Sequence, residues 1–156
     1  PRARSTNQYG AVFGVFLRQR LENQPLTIVG DGKQKRDFVY VSDVVEAFVL
    51  AAQKKVKERV FNVGSGKAHS IHELAKMISQ KWTTIPKRPG EPDCTWADIS
   101  KIEKHLKWKA RVSFQEGVSK MIEGIDQWKD SPLWTPVSIQ EATNSWFKYL
   151  GPLKNE

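Results

Sequence analysis

Twice in this chain a short β-prone run is cut off by a Gly-x-Gly triplet, with a helical period further along. Leu26-Thr27-Ile28-Val29 runs into Gly30-Asp31-Gly32, and Arg59-Val60-Phe61-Asn62-Val63 runs into Gly64-Ser65-Gly66. Branched and aromatic residues suit a pleated, half-buried surface, and glycine takes the backbone conformations that tight turns require. The order points to a mixed α and β fold of the α/β class. Neither triplet continues into the G-x-G-x-x-G spacing or into a P-loop lysine and hydroxyl, so both are read as turns, with Asn62 and Ser65 hydrogen-bonding inside the second.

Helical periods fill the intervals. Residues 11–23 place Val12, Val15, Phe16, Leu17 and Leu21 on one face with Arg18, Arg20 and Glu22 available for the other, and Pro25 closes that helix. Phe38-Val39-Tyr40-Val41 reads as a strand leading into a helix over 43–53 that Ser42 can cap. Ser70 and Glu73 make a capping box for a helix reaching about Trp82, and Pro86, Pro89, Gly90 and Pro92 make 85–93 an irregular loop. Asp98 or Ser100 caps a short helix over 101–106, and Ser113 with Glu116 opens a helix over 114–128. Ser138 with Glu141 opens a last helix to Tyr149, stopped by Gly151-Pro152. The sum is about three short strands and six helices. Three strands make a thin sheet for this much apolar surface, so some apolar faces are expected to lie against another domain.

With 156 residues, 39% of them hydrophobic, the chain can bury one real core. A net charge of +8 raises the local concentration of phosphates and other anions without choosing among them. One cysteine, Cys94, excludes an intramolecular disulfide framework and fits a reducing compartment, so the expected location is cytoplasmic. No apolar run approaches the roughly 20 residues of a membrane helix, and the polar start, PRARSTNQYG, without an initiator Met, reads as a segment that begins upstream.

The segment PLTIVGDGKQKRDFVYVSD, residues 25–43, closely resembles a stretch of the nucleotide-sugar epimerases, dehydratases and decarboxylases of the extended short-chain dehydrogenase/reductase class. Three further blocks follow in the family's order: VFNVGSG at 60–66, SIHELAKMI at 70–78 and RPGEPDCTWADIS at 88–100. Pro1-Arg2 resembles the end of the family's Tyr-Gly-Pro-Arg segment, and only the tail beyond about Trp128 lies outside the likeness. The resemblance implies that residues 1–130 are the carboxyl-terminal, substrate-binding region of a UDP-glucose 4-epimerase-like enzyme, with the Rossmann core largely absent and 131–156 a helical extension.

A nucleoside diphosphate needs cations that make paired hydrogen bonds to phosphate, acceptors for ribose hydroxyls and apolar surface for a base. The resemblance assigns the diphosphate to Arg36 and Arg88, the ribose to Glu91, which stands where the family often has Asp, and the base to the main chain and side chains around Ile28 and Val29. Tyr9 is a candidate for the sugar or phosphates. Each has a plainer reading: an ion pair for Arg36, solvated loop charges for Arg88 and Glu91, core packing for the rest.

The family's chemistry is a transient oxidation of the sugar by NAD(P), which needs a dinucleotide fingerprint and a Tyr-x-x-x-Lys pair. Neither is in this sequence; Tyr40 is followed four residues on by Val44. The expectation is a sugar-nucleotide-binding part, catalytically incomplete alone, completed by an N-terminal Rossmann portion or a separate cofactor-binding chain; a homodimer is one assembly the resemblance allows. The alternative is a stand-alone binding or docking module. Metal binding is not expected, because His69 and His72 have no third ligand at suitable spacing, and Cys94 has no paired base. Nucleic acid is disfavoured, because Trp82, Trp108, Trp128 and Trp146 fall in or beside amphipathic helices.

Overall fold

The computed structural model describes residues 12–58 and 60–151. The six α-helices among them are α1 (Val12–Leu21), α2 (Val41–Gln53), α3 (Ile71–Ile78), α4 (Ser100–Leu106), α5 (Phe114–Glu123) and α6 (Pro136–Leu150). Five short strands accompany them: β1 (Leu26–Val29), β2 (Lys35–Asp37), β3 (Ala68–Ser70), β4 (Trp82–Ile85) and β5 (Cys94–Thr95). The mixed α and β class is as the sequence reads.

The strands form two small sheets. β1 pairs in parallel with β4, Leu26 opposite Trp82 and Val29 opposite Ile85. β2 is the centre of the other, antiparallel to β3 with Arg36 opposite His69, and parallel to β5 with Arg36 opposite Thr95. A parallel pair needs a long crossover, and β2 and β3 of the second sheet with α2 and α3 lie between β1 and β4, while β5 follows β4.

The main core joins Phe16 and Leu17 of α1, Leu26 and Ile28 of β1, Ile71, Leu74, Ala75 and Ile78 of α3, Val118 of α5, and Trp128. A second cluster sets Ala47 of α2 against Ile102 and Leu106 of α4 and against Trp108. The Trp108 indole N–H donates to the Asp43 carbonyl at 3.0 Å, and the Asp43 carboxylate accepts from the Val112 amide at 3.0 Å. Asp43 is therefore a buried tie between α2 and the segment that follows α4.

Several expected boundaries move. The strand expected at Phe38-Val39-Tyr40-Val41 is not formed; β2 lies just before it, because Phe38 packs edge-on to Phe13 at 5.6 Å and stacks on Phe114 at 5.4 Å. Tyr40, not Ser42, occupies the cap of α2, without a side-chain bond. Residues 60–63 pair with no strand, and Asn62 leaves its turn to donate to the Asp98 carbonyl at 3.2 Å. The capping box of Ser70 and Glu73 is present, but α3 ends at Ile78, and Trp82 belongs to β4, where the branched Thr83 and Thr84 extend against β1. α5 stops at Glu123, followed by a 3₁₀ turn over Ile125–Trp128. α6 starts earlier than expected, with Thr135 and Ser138 forming the capping box and Pro136 in the first turn, where its missing N–H costs nothing.

α2 turns an apolar stripe outward: Val41, Val45, Phe48 and Val49 are all exposed, Phe48 by 72%. Among the described residues no helix is long and apolar enough to cross a membrane.

Candidate functional site

β2 sets the site, because neighbouring residues of a strand point to opposite faces. Asp37 turns to one side and accepts four hydrogen bonds. Its Oδ1 takes the Ser65 amide at 2.7 Å and the Ser65 hydroxyl at 2.6 Å; its Oδ2 takes the Gly66 amide at 3.1 Å and the Ala97 amide at 3.3 Å. Gly64 has no room for a side chain, since a Cβ there would stand 2.6 Å from both the Ala97 Cβ and the Asp37 Oδ2. Among the carboxylates that the sequence offers as an ion-pair partner for Arg36, Asp37, its neighbour, is given instead to the glycine turn.

Arg36 turns to the other side. Its Nη1 donates to the Lys35 and Pro92 carbonyls at 2.8 and 2.9 Å, and its Nη2 meets the Glu91 Oε1 at 2.9 Å. The second Glu91 oxygen, Oε2, receives Arg88 Nη2 at 3.1 Å. Two guanidinium groups from separate segments therefore converge on one carboxylate. Arg88 is 7% exposed, while the Arg36 and Glu91 side chains are 22% and 16% exposed. Burial lowers the Arg88 pKa from its ordinary value, and Glu91 acts against that shift.

The loop that carries Arg88 and Glu91 is fixed at both ends. Ile85 closes β4, and Lys35 N donates to the Asp93 carbonyl at 2.8 Å, next to Arg36. Gly90, between the two charged residues, has φ +74°, which an L side chain rarely adopts. Lys87 pairs with Asp93 on the exposed rim, and that bond raises the Lys87 pKa. From the far end of the chain, the Trp146 indole of α6 lies over Arg88, with Cζ 5.4 Å from the ring centroid.

The other candidates are placed differently. Ile28 is 2% exposed and packed in the core, so only its main chain could meet a ligand. Val29 is half-buried, and its carbonyl accepts from the Gln34 side-chain amide at 2.9 Å. Tyr9 lies outside the described residues. His69 stacks on Phe114 at 4.1 Å, and His72 meets Trp82 edge-on at 5.4 Å. Among the described residues no three His, Cys, Asp or Glu cluster at metal-binding distance. An apolar cleft of about 520 Å³ opens between α1, Phe38, Tyr40 and α5, on the Asp37 side of β2.

A dinucleotide does not fit either glycine turn. Such a cofactor needs free backbone amides for its pyrophosphate. The Ser65 and Gly66 amides are taken by Asp37, and the Gly30 and Gly32 amides by the carbonyls of Ile85 and Val29.

Sequence reasoning missed Trp146, Gln34 and the use of Asp37. Trp146 had the only advance signal, an aromatic seven residues beyond Ile139 on one helical face, and that spacing reads as ordinary core packing.

The sequence profile of GDP-mannose 4,6 dehydratase matches residues 4–121. UDP-glucuronic acid decarboxylase 1 of Arabidopsis thaliana is 34% identical over 119 residues, covering 72% of this chain and 27% of its own length. The crystal structure of UDP-glucose 4-epimerase from Thermotoga maritima with UDP-glucose superposes with a TM-score of 0.74 at 31% identity. That of UDP-glucuronic acid 4-epimerase from Bacillus cereus with UDP-glucuronic acid and NAD gives 0.73 at 35%. Each structure covers 81% of this chain, and the match spans 42% of theirs, so the chain covers less than half the length of the proteins it matches. From the profile, the relatives and the two superpositions, the chain belongs to the GDP-mannose 4,6 dehydratase family of NAD-dependent nucleotide-sugar epimerases and dehydratases, in the extended short-chain dehydrogenase/reductase class.

Proposed function

We propose that this chain is the substrate-binding part of an NAD-dependent nucleotide-sugar epimerase or dehydratase and holds the nucleoside diphosphate of a UDP-sugar or a close analogue. The observation that carries the reading is the meeting of Arg36 and Arg88 on Glu91. A planar guanidinium matches phosphate as it matches carboxylate, and a diphosphate offers more charge to the pair than Glu91 does. Arg36, the more exposed of the two, makes the first contact; the ligand then takes the place of Glu91, whose carboxylate becomes an acceptor for the ribose hydroxyls. The main chain at Ile28 and Val29 is assigned the base.

Chemistry on the sugar needs groups this sequence does not contain, a dinucleotide fingerprint and a Tyr-x-x-x-Lys pair. The chain alone is therefore a binder. The outward stripe of Val41, Val45, Phe48 and Val49 on α2 supports a cofactor-binding portion seated there, since an apolar helix face of that kind is seldom left to water.

Calorimetry with UDP-, dTDP-, GDP- and CDP-sugars tests the binding claim. One of the four is expected to bind, and Arg36→Ala to weaken it by about 10- to 100-fold, the worth of charge-assisted hydrogen bonds. Equal affinity in the variant removes the assignment. With NAD added, the chain alone is expected to form no new sugar nucleotide.

A further inference from the structure

The tail beyond residue 128 lies outside the four sequence blocks that carry the family likeness and beyond the family profile, yet it reaches Arg88. Its path is fixed by buried polar contacts. Gln19 of α1 is 1% exposed; its amide Nε2 donates to the Thr27 hydroxyl at 2.9 Å and to the Trp134 carbonyl at 2.7 Å, and its Oε1 accepts the Thr27 amide at 3.1 Å. A buried amide satisfied this way holds its partners in one arrangement, because each broken bond would leave a polar group in the interior. Trp134 is next to Thr135, the cap of α6, so this anchor sets where the helix begins.

From that start, α6 places Ile139, Thr143, Trp146 and Leu150 at spacings of four, three and four, one stripe of a helix. Ile139 and Thr143 are buried. Trp146 then lies over the Arg88 guanidinium, 5.4 Å from Cζ to the ring centroid, and Leu150 stands against Gly90, 3.5 Å from where a Cβ would be. The tail thus touches two positions of the short loop that carries Glu91.

We propose that Trp146 is a positioning residue for the diphosphate site: its indole face fixes the guanidinium of Arg88 so that Nη2 is aimed at the point shared with Arg36, where Glu91 now stands. The inference rests on the reading of Arg36 and Arg88 as diphosphate ligands. An arginine has several freely turning bonds, and a stacked aromatic both restricts them and attracts the cation without using its hydrogen-bond donors. Nη2 of Arg88 is directed to the Glu91 carboxylate, the position proposed for the anion. The tail is on this account a working wall of the site, and Gln19 the anchor that delivers it.

The test measures UDP affinity by calorimetry on the full chain, with thermal unfolding followed separately. Trp146→Leu, which keeps apolar bulk but no π face, is expected to weaken UDP binding about tenfold, and Trp146→Phe to restore most of the loss. The same Trp146→Leu change in an Arg88→Ala background is expected to cost nothing further. A loss of equal size in that background shows that Trp146 supports the fold and does not act through Arg88, which overturns the proposal. Tighter binding by Trp146→Leu overturns it too, since the tail would then shield Arg88. Arg36→Ala separates the two layers: if it weakens UDP binding while Trp146→Leu does not, only the role of Trp146 fails. If the unchanged chain binds no UDP, or Arg36→Ala binds as well as the parent, the diphosphate reading fails and this inference with it.

Discussion

The Arg36 guanidinium and the Glu91 carboxylate, one on a short strand and the other in a proline-rich loop, meet at 2.9 Å. The contact closes the loop onto the strand, and Arg88 completes it from the loop's own start at 3.1 Å. A single carboxylate thereby stands between two cations that would otherwise repel each other in a partly dry setting, and offsets one of the two charges. That carboxylate sits where the proposed ligand would enter, so ligand-free stability and ligand binding draw on the same charges.

Glu91→Ala leaves Arg36 and Arg88 facing each other without their shared acceptor. The expected loss is about 1–3 kcal/mol, below that of a fully buried pair because water still reaches Arg36. Glu91→Gln, which retains one acceptor oxygen, should lose less. Urea unfolding of the three proteins gives the order directly; a Glu91→Ala chain as stable as the parent would show that the bridge contributes nothing to the fold.

Asp37→Asn is expected to be costly despite its unchanged shape. Both carboxylate oxygens accept from backbone amides, so an Asn must point an N–H at another N–H whichever way it is turned. A loss of about 2–3 kcal/mol is expected, with faster amide exchange at Ser65 and Gly66. Because Asp37 holds the strand that carries Arg36, UDP affinity should fall alongside. Unaltered exchange in the variant would contradict the hydrogen-bonding pattern.

Acid sensitivity should be legible at the start of α3. The Ser70 amide donates to Glu73 at 2.6 Å and the Ser70 hydroxyl at 2.9 Å, and the backbone bond, then the side-chain one, lowers the Glu73 pKa. A carboxyl whose folded pKa lies below its unfolded value adds stability that is complete above the unfolded pKa and is lost as pH falls through the folded one. Glu73→Gln should therefore unfold more easily than the parent near neutrality, with the gap closing as pH drops through the carboxylate range. Ser70→Ala should cost about 1 kcal/mol at neutral pH by removing the cap. Thermal melts between neutral and acid pH check both; a gap that widens toward acid would reverse the sign argued here.

Local chemistry alone made much of this protein legible. The Ser70 and Glu73 capping box, the glycine turns, the proline-rich loop and the six helices among the described residues follow from interactions within a few residues, and such interactions are written in sequence spacing. Four ordered blocks were likewise enough to point to the family and to single out Arg36, Arg88 and Glu91. Strand boundaries were another matter. Phe38 has strand-forming character, but Phe13 and Phe114 claim its ring, and Trp82 closes a helical pattern until β1 offers its open edge. Tertiary packing also decided which charge faces which: Asp37 went to Ser65 and Gly66, Arg36 to Glu91, and Trp146 came to Arg88 from the far end of the chain. Side-chain partners separated by tens of residues depend on how the backbone closes in space, and no local period encodes that closure.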